Sequence, residues 1–220
     1  MPAPRVISMN ERQRIQKILD LLDEHYSVQK KCWLDYDNAW QLLFATILSA
    51  QCTDARVNIV TKDLFKKYKT VEDFANADYD ELCEDIRSTG FYRNKAKNII
   101  ACCNKLIENF EGRVPDNMED LLTLDGVGRK TANLVCGDIY KKPAVVTDTH
   151  CIRISGRLGL VPALEKNPVK VERILSAIIE KEKQSDFCHR LVMFGRDICS
   201  AKNPLCDECP LADLCKNKKA

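Results

Sequence analysis

No stretch of this 220-residue chain stays apolar for anything near the roughly 20 residues that cross a bilayer, which excludes a helical membrane span. Net charge is also scarce. The 34 Lys and Arg face 32 Asp and Glu, leaving +2, so no global basic field announces a nucleic acid, and any such patch must be local. Met1 to Asn10 lack a basic start followed by an apolar run, so no secretory signal is read. The expected location is the cytoplasm, at the nucleoid if the organism is prokaryotic. Without secretion, the twelve cysteines are not expected to form a disulfide framework, and clustered ones point to a metal. Absent, finally, is any alternating strand of useful length. The fold is expected to be all-α, in a chain long enough to bury one large core or two small ones.

What is present is helical periodicity. Ile15, Ile18, Leu19 and Leu22 mark a first amphipathic helix. Asn38 is placed to cap a second, Ala39–Ala50, which is apolar nearly all round and belongs at a domain centre. Another runs from about Asp54 to Tyr68, and two short ones fit Val71–Asn76 and Asp78–Arg87. After Gly90 comes a longer helix traced by Ile99, Ile100, Cys103, Ile107 and Phe110. Lys141-Lys142-Pro143 reads as a break. Helices are then expected from Asp148 to about Leu158, over Pro168–Lys181 and over Ser185–Ile198.

Two glycines stand two residues apart in Leu124-Asp125-Gly126-Val127-Gly128-Arg129-Lys130-Thr131-Ala132, between helical patterns. Glycine takes positive φ at little steric cost and lets another backbone come close. A tight hairpin leading into a helix also points free N–H groups outward at the positive end of the dipole, which suits a phosphate. Eighteen residues after Lys130 stands Asp148, in Val146-Thr147-Asp148-Thr149-His150. Singly, each has an ordinary reading. On a helical wheel Gly128, Ala132, Val135 and Ile139 form an apolar stripe with Lys130 opposite, so Lys130 could be a solvated lysine. Asp148 could be an N-cap and nothing more. Their order and spacing carry the functional meaning.

From Arg87 to Lys105 the chain carries Arg87, Arg93, Lys95, Lys97 and Lys105 and no carboxylate, with Phe91 and Tyr92 beside Gly90. Basic residues next to exposed aromatics suit a nucleic acid backbone and an unstacked base. The alternative is that the aromatics dock the loop onto the core.

Cys199, Cys206, Cys209 and Cys215 follow the spacing C-x6-C-x2-C-x5-C. Thiolates this close, in a loop punctuated by Pro204 and Pro210, can wrap one metal centre. Structural zinc more often uses two close pairs. An isolated cysteine, a pair and another isolated cysteine fits a four-thiolate iron–sulfur cluster at least as well. The other eight cysteines are scattered and read as small core residues.

Together these motifs resemble the endonuclease III family of helix-hairpin-helix DNA glycosylases, from about Arg12 to Cys215. The resemblance implies a two-lobed all-α fold with an iron–sulfur cluster loop. One lobe would be a helical bundle over 31–142; the other would join 1–30 to 143–220, with the active cleft between them. It implies a [4Fe–4S] cluster on Cys199, Cys206, Cys209 and Cys215, and Lys130 and Asp148 as the catalytic pair. Lys130 would attack the sugar C1′ of a flipped, oxidised nucleotide, pyrimidine by preference, and displace the base. The Schiff base then permits β-elimination and cutting 3′ to the lesion. Asp148 would stabilise the developing positive charge and help activate Lys130, whose reference pKa of about 10.4 otherwise leaves little free amine. Gln51 and Phe91 would fill the gap left by the flipped base, and Gly126, Gly128, Arg129 and Lys202 would contact the backbone. The partner implied is double-stranded DNA with damaged bases or abasic sites, bound by a monomer. One departure stands out: the family usually has Pro before the first hairpin glycine, and here it is Asp125, a good turn former whose charge would cost some DNA affinity. The rivals are an adenine-mismatch glycosylase, which lacks the lysine, a non-catalytic helix-hairpin-helix binding module, and a redox iron–sulfur protein.

Overall fold

A computed structural model describes residues 9–27 and 32–217, and these contain helices and no strand. The chain divides into two compact units, Cys32–Lys141 and Met1–Lys31 with Lys142–Ala220. The boundary expected at residues 30 and 31, and residues 1–8 of the segment read for a signal, lie outside the described residues.

In the first unit the centre is α2 (Ala39–Leu48), buried from Gln41 to Leu48. The Asn38 side chain accepts from the Gln41 amide at 3.1 Å, as the capping chemistry requires. The helix stops at Leu48, two residues short of the expected Ala50. Around it run α3 (Asp54–Lys67), α4 (Val71–Ala75) and α5 (Tyr79–Asp85). Thr70 and Asp73 form a reciprocal capping box that starts α4. The ring of Phe74 meets those of Phe44 and Tyr68 with centroids 5.0 and 4.8 Å apart. Each such buried ring is worth about 1.5–3 kcal/mol of transfer free energy. Helix α6 (Tyr92–Phe110) packs its Ala96, Ile99, Cys103 and Leu106 stripe inward and lies against α4 and α5. A short α7 (Met118–Leu121) and α8 (Arg129–Asp138) follow, α8 packing on α2. The wheel expected one apolar stripe on α8. Instead every residue from Thr131 to Asp138 is buried, because α2 and α7 both pack against it.

In the second unit α1 (Met9–His25) and α9 (Thr149–Leu158) each pack on α11 (Gln184–Asp197). The α9–α11 crossing depends on Gly195: a Cβ there would lie 2.3 Å from His150 Nδ1 and 2.8 Å from Arg153 Nη2. Helix α10 (Pro168–Ile178) ends before the expected Lys181, since Ile179 turns extended and Gln184 donates to the carbonyls of Ser176 and Ile179, both at 3.1 Å. Arg14 ties α1 to the carbonyls of Leu158 and Leu214, each at 2.9 Å.

Candidate active site and cluster loop

Of the two hairpin glycines, Gly126 alone has a left-handed φ, +75°, and a Cβ there would sit 3.0 Å from the Asn98 side chain of α6. Gly126 is therefore required both by the bend and by the helix beneath it. Gly128 has an ordinary φ of −97° and open space around its missing Cβ. The fold itself would accept a side chain there. As N-cap of α8 it offers no side chain to the first-turn amides. Those amides and the dipole make this end of α8 attractive to an anion. Arg129 and Lys130 occupy that first turn and are exposed.

The carboxylate of Asp125 is neutralised within the hairpin. Lys105 of α6 reaches it at 2.9 Å and donates to the Thr123 carbonyl at 2.8 Å. The pair balances the Asp125 charge locally and pins the turn to α6.

Asp148 is the N-cap of α9 and half-buried. Its Oδ1 accepts from the Cys151 amide at 2.7 Å, and Oδ2 makes no hydrogen bond among the described residues. One carboxylate oxygen is thus committed to holding the helix. Lys130 belongs to the first unit and Asp148 to the second.

Gln51 and Phe91 stand at loop tips, both exposed and both with left-handed backbone, φ 54° and 49°. Phe91 is 63% exposed, so it does not dock onto the core. Tyr92 is half-buried, with the guanidinium carbons of Arg87 and Arg93 5.9 and 5.6 Å from its ring centre. The basic run is less available than its sequence implied. Arg87 pairs with Glu84 at 3.0 Å, Lys105 with Asp125, and Lys95 is buried, donating to the carbonyls of Leu48 and Thr89, both at 2.8 Å. Arg93 and Lys97 remain exposed.

All four loop cysteines line one cavity of about 70 Å³, closed on its apolar side by Leu158, Phe194 and Leu205. Burial pushes the Cys209 thiol up, a backbone hydrogen bond at Leu211 opposes it, and Cys199, Cys215 and Cys206 add smaller upward pushes. Yet no group of three or more His, Cys, Asp or Glu among the described residues is placed to hold a single metal ion. Four thiols lining one cavity fit the four-thiolate cluster that their spacing implies. Arg157, which sequence reasoning passed over, clamps this loop. Its Nη1 meets the Cys199 sulfur at 3.3 Å and the Ser200 carbonyl at 2.6 Å, while Nη2 donates to Ala201 O at 2.8 Å. The signal lay in Arg153 and Arg157, one turn apart on α9, both reaching Cys199 O. Lys202 is exposed on the same loop. Purified protein should be yellow-brown and carry about four iron and four sulfide per chain. Colourless protein with one zinc, after anaerobic purification, would contradict the cluster.

The family model for HhH-GPD superfamily base excision DNA repair proteins matches residues 44–181, and that for the iron–sulfur binding domain of endonuclease III matches 199–215. Endonuclease III of Synechocystis is 48% identical, covering 96% of this chain and 95% of that protein. The Bacillus subtilis enzyme is 44% identical, over 93% and 92%. A trapped endonuclease III–DNA covalent intermediate superposes with TM-score 0.88 at 44% identity, covering 94% of this chain and 96% of that one. A thermostable thymine-DNA glycosylase shares the fold, TM-score 0.85 at 23% identity.

Proposed function

The chain belongs to the endonuclease III family, and on that premise we propose that Lys130 and Asp148 carry out its reaction. The activity is that of a base excision repair DNA glycosylase and AP lyase acting on oxidised pyrimidines in duplex DNA, with a [4Fe–4S] cluster. No helix among the described residues is long and apolar enough to cross a membrane, and we place the enzyme in the cytoplasm with the DNA it serves.

The observation that carries the residue assignment is the position of Lys130: an exposed amine on the first turn of α8, directly after the Gly126–Gly128 turn. A phosphate bound at the α8 amides would hold the backbone of the damaged strand next to that amine. The amine attacks C1′, the glycosidic bond breaks and the base leaves. Cleavage of the C1′–O4′ bond, with a proton passing to O4′, then opens the ring and gives the iminium Schiff base; loss of a proton from C2′ breaks the C3′–O bond and expels the 3′ phosphate. Asp148, with Oδ1 held by the cap, presents Oδ2 to the positive charge that grows on the sugar. Gln51 and Phe91 fill the space of the flipped nucleotide, and Gly126, Gly128, Arg129 and Lys202 bind the backbone. Held by Cys199, Cys206, Cys209 and Cys215, a cluster would cross-link the loop that carries Lys202 into one shape; the covalent step belongs to Lys130, and Asp148 stabilises the charge that step creates.

The test is product analysis on a duplex with one oxidised pyrimidine. Free base together with a strand cut 3′ to the lesion is expected. Base release that leaves the strand intact until alkali is added would remove the lyase step and Lys130 with it.

A further inference from the structure

Lys95 is 4% exposed, and its side-chain amine holds two carbonyls from distant parts of the chain. Leu48 is the last residue of α2, so its carbonyl is among those a helix leaves unpaired at its negative end. Thr89 closes the 3-10 turn Arg87–Thr89. Gln51 follows Leu48 by three residues and Phe91 follows Thr89 by two. Both tips have φ values, 54° and 49°, that side-chain-bearing residues avoid at a cost of about 1 kcal/mol or more each. Such strain persists where the surroundings over-determine it. The Lys95 ammonium is a buried charge bonded to the base of both strained loops. A merely structural lysine here would be an expensive choice, since burying an ammonium costs more than burying a hydrocarbon of the same shape.

We propose that Lys95 is a positioning residue that ties the Gln51 loop and the Phe91 loop into one rigid, two-pronged wedge, so that both tips enter the duplex together. The inference rests on the reading that these two residues fill the space of a flipped nucleotide. Pre-organising both prongs removes the ordering cost from the step in which the base leaves the stack. That cost is absent when the strand is already single, so the contribution of Lys95 belongs to duplex substrates.

The full-length holoenzyme is compared as wild type, Lys95→Met, Lys95→Gln, Phe91→Ala and Gln51→Ala. Single-turnover excision is measured on one lesion in duplex and in single strand. Fluorescence of 2-aminopurine opposite the lesion reports opening of the duplex independently of chemistry. For Lys95→Met the loss on duplex should exceed that on single strand by about tenfold, with a matching loss of the fluorescence rise. Lys95→Gln is neutral and shorter, retains a donor and should fall between. Should the Met variant fail to fold, the Gln variant is read in the same way. Added to Phe91→Ala, Lys95→Met should bring little further duplex-selective loss, because the residues act as one unit. Equal losses on both substrates, or full duplex activity, in the Lys95 variants while Phe91→Ala and Gln51→Ala stay duplex-selective would overturn the role of Lys95 and leave the wedge standing. Equal losses on both substrates in Phe91→Ala and Gln51→Ala would overturn the wedge and the proposal with it.

Discussion

Lys130→Gln is expected to bind damaged duplex normally and to lose base excision by about 10³-fold or more, equivalent to at least about 4 kcal/mol of barrier. Binding should survive because the substitution leaves the anion site intact. The bend at Gly126, the Lys105–Asp125 pair and the α8 amides are all independent of the Lys130 side chain. Lys130 is exposed, so its replacement removes no packing, and the melting temperature should move little. Glutamine has no nucleophilic amine, so no Schiff base can form and strand cutting should disappear with excision. The measurement is single-turnover kinetics beside a binding isotherm at fixed salt. Near-wild-type excision with unchanged binding would return Lys130 to the role of a solvated helix lysine.

Asp148→Asn separates the two duties of that side chain. Asparagine caps helices about as well as aspartate, so the bond from the Cys151 amide to Oδ1 is retained and α9 should start where it does now. What disappears is the negative charge that the proposed mechanism sets against the sugar. Excision should fall by about 10²–10³-fold, the range seen when one electrostatic stabiliser of a transition state is removed. Asp148→Ala should show a similar catalytic loss and, in addition, a stability loss of about 1 kcal/mol from the missing cap. Normal excision in Asp148→Asn would reduce Asp148 to a cap. Combined with Lys130→Gln, Asp148→Asn should add little, since the two serve one step.

Some of this was legible because the signals are local. Asn38 and Asp148 cap the helices that begin one residue later, and a cap is decided by three or four neighbouring residues. The Gly-x-Gly turn and the four-cysteine spacing are short-range patterns whose physics needs nothing from elsewhere in the chain. The failures share the opposite property. Lys95 sits in a run without carboxylates and so reads as a solvated, phosphate-seeking residue. Its burial follows from α6 docking beside the ends of α2 and the Arg87–Thr89 turn, which no window of sequence contains. Asp125 looked like an unbalanced charge because its partner, Lys105, lies a full helix earlier. The wheel of α8 gave one stripe because it could not register two neighbours, α2 and α7, both packing on it. Phe91 is the instructive opposite. Its exposure contradicts the ordinary preference of a phenyl ring for the core, and the local sequence allowed either outcome.

The central claim is that the amine of Lys130 becomes covalently bound to DNA during the reaction. Borohydride reduction of the wild-type enzyme mixed with a duplex carrying an abasic site should trap a stable protein–DNA adduct. Peptide mapping of that adduct by mass spectrometry should place the modification on Lys130 and on no other lysine. An adduct mapping to a different amine, or trapping that persists undiminished in Lys130→Gln, would contradict the account.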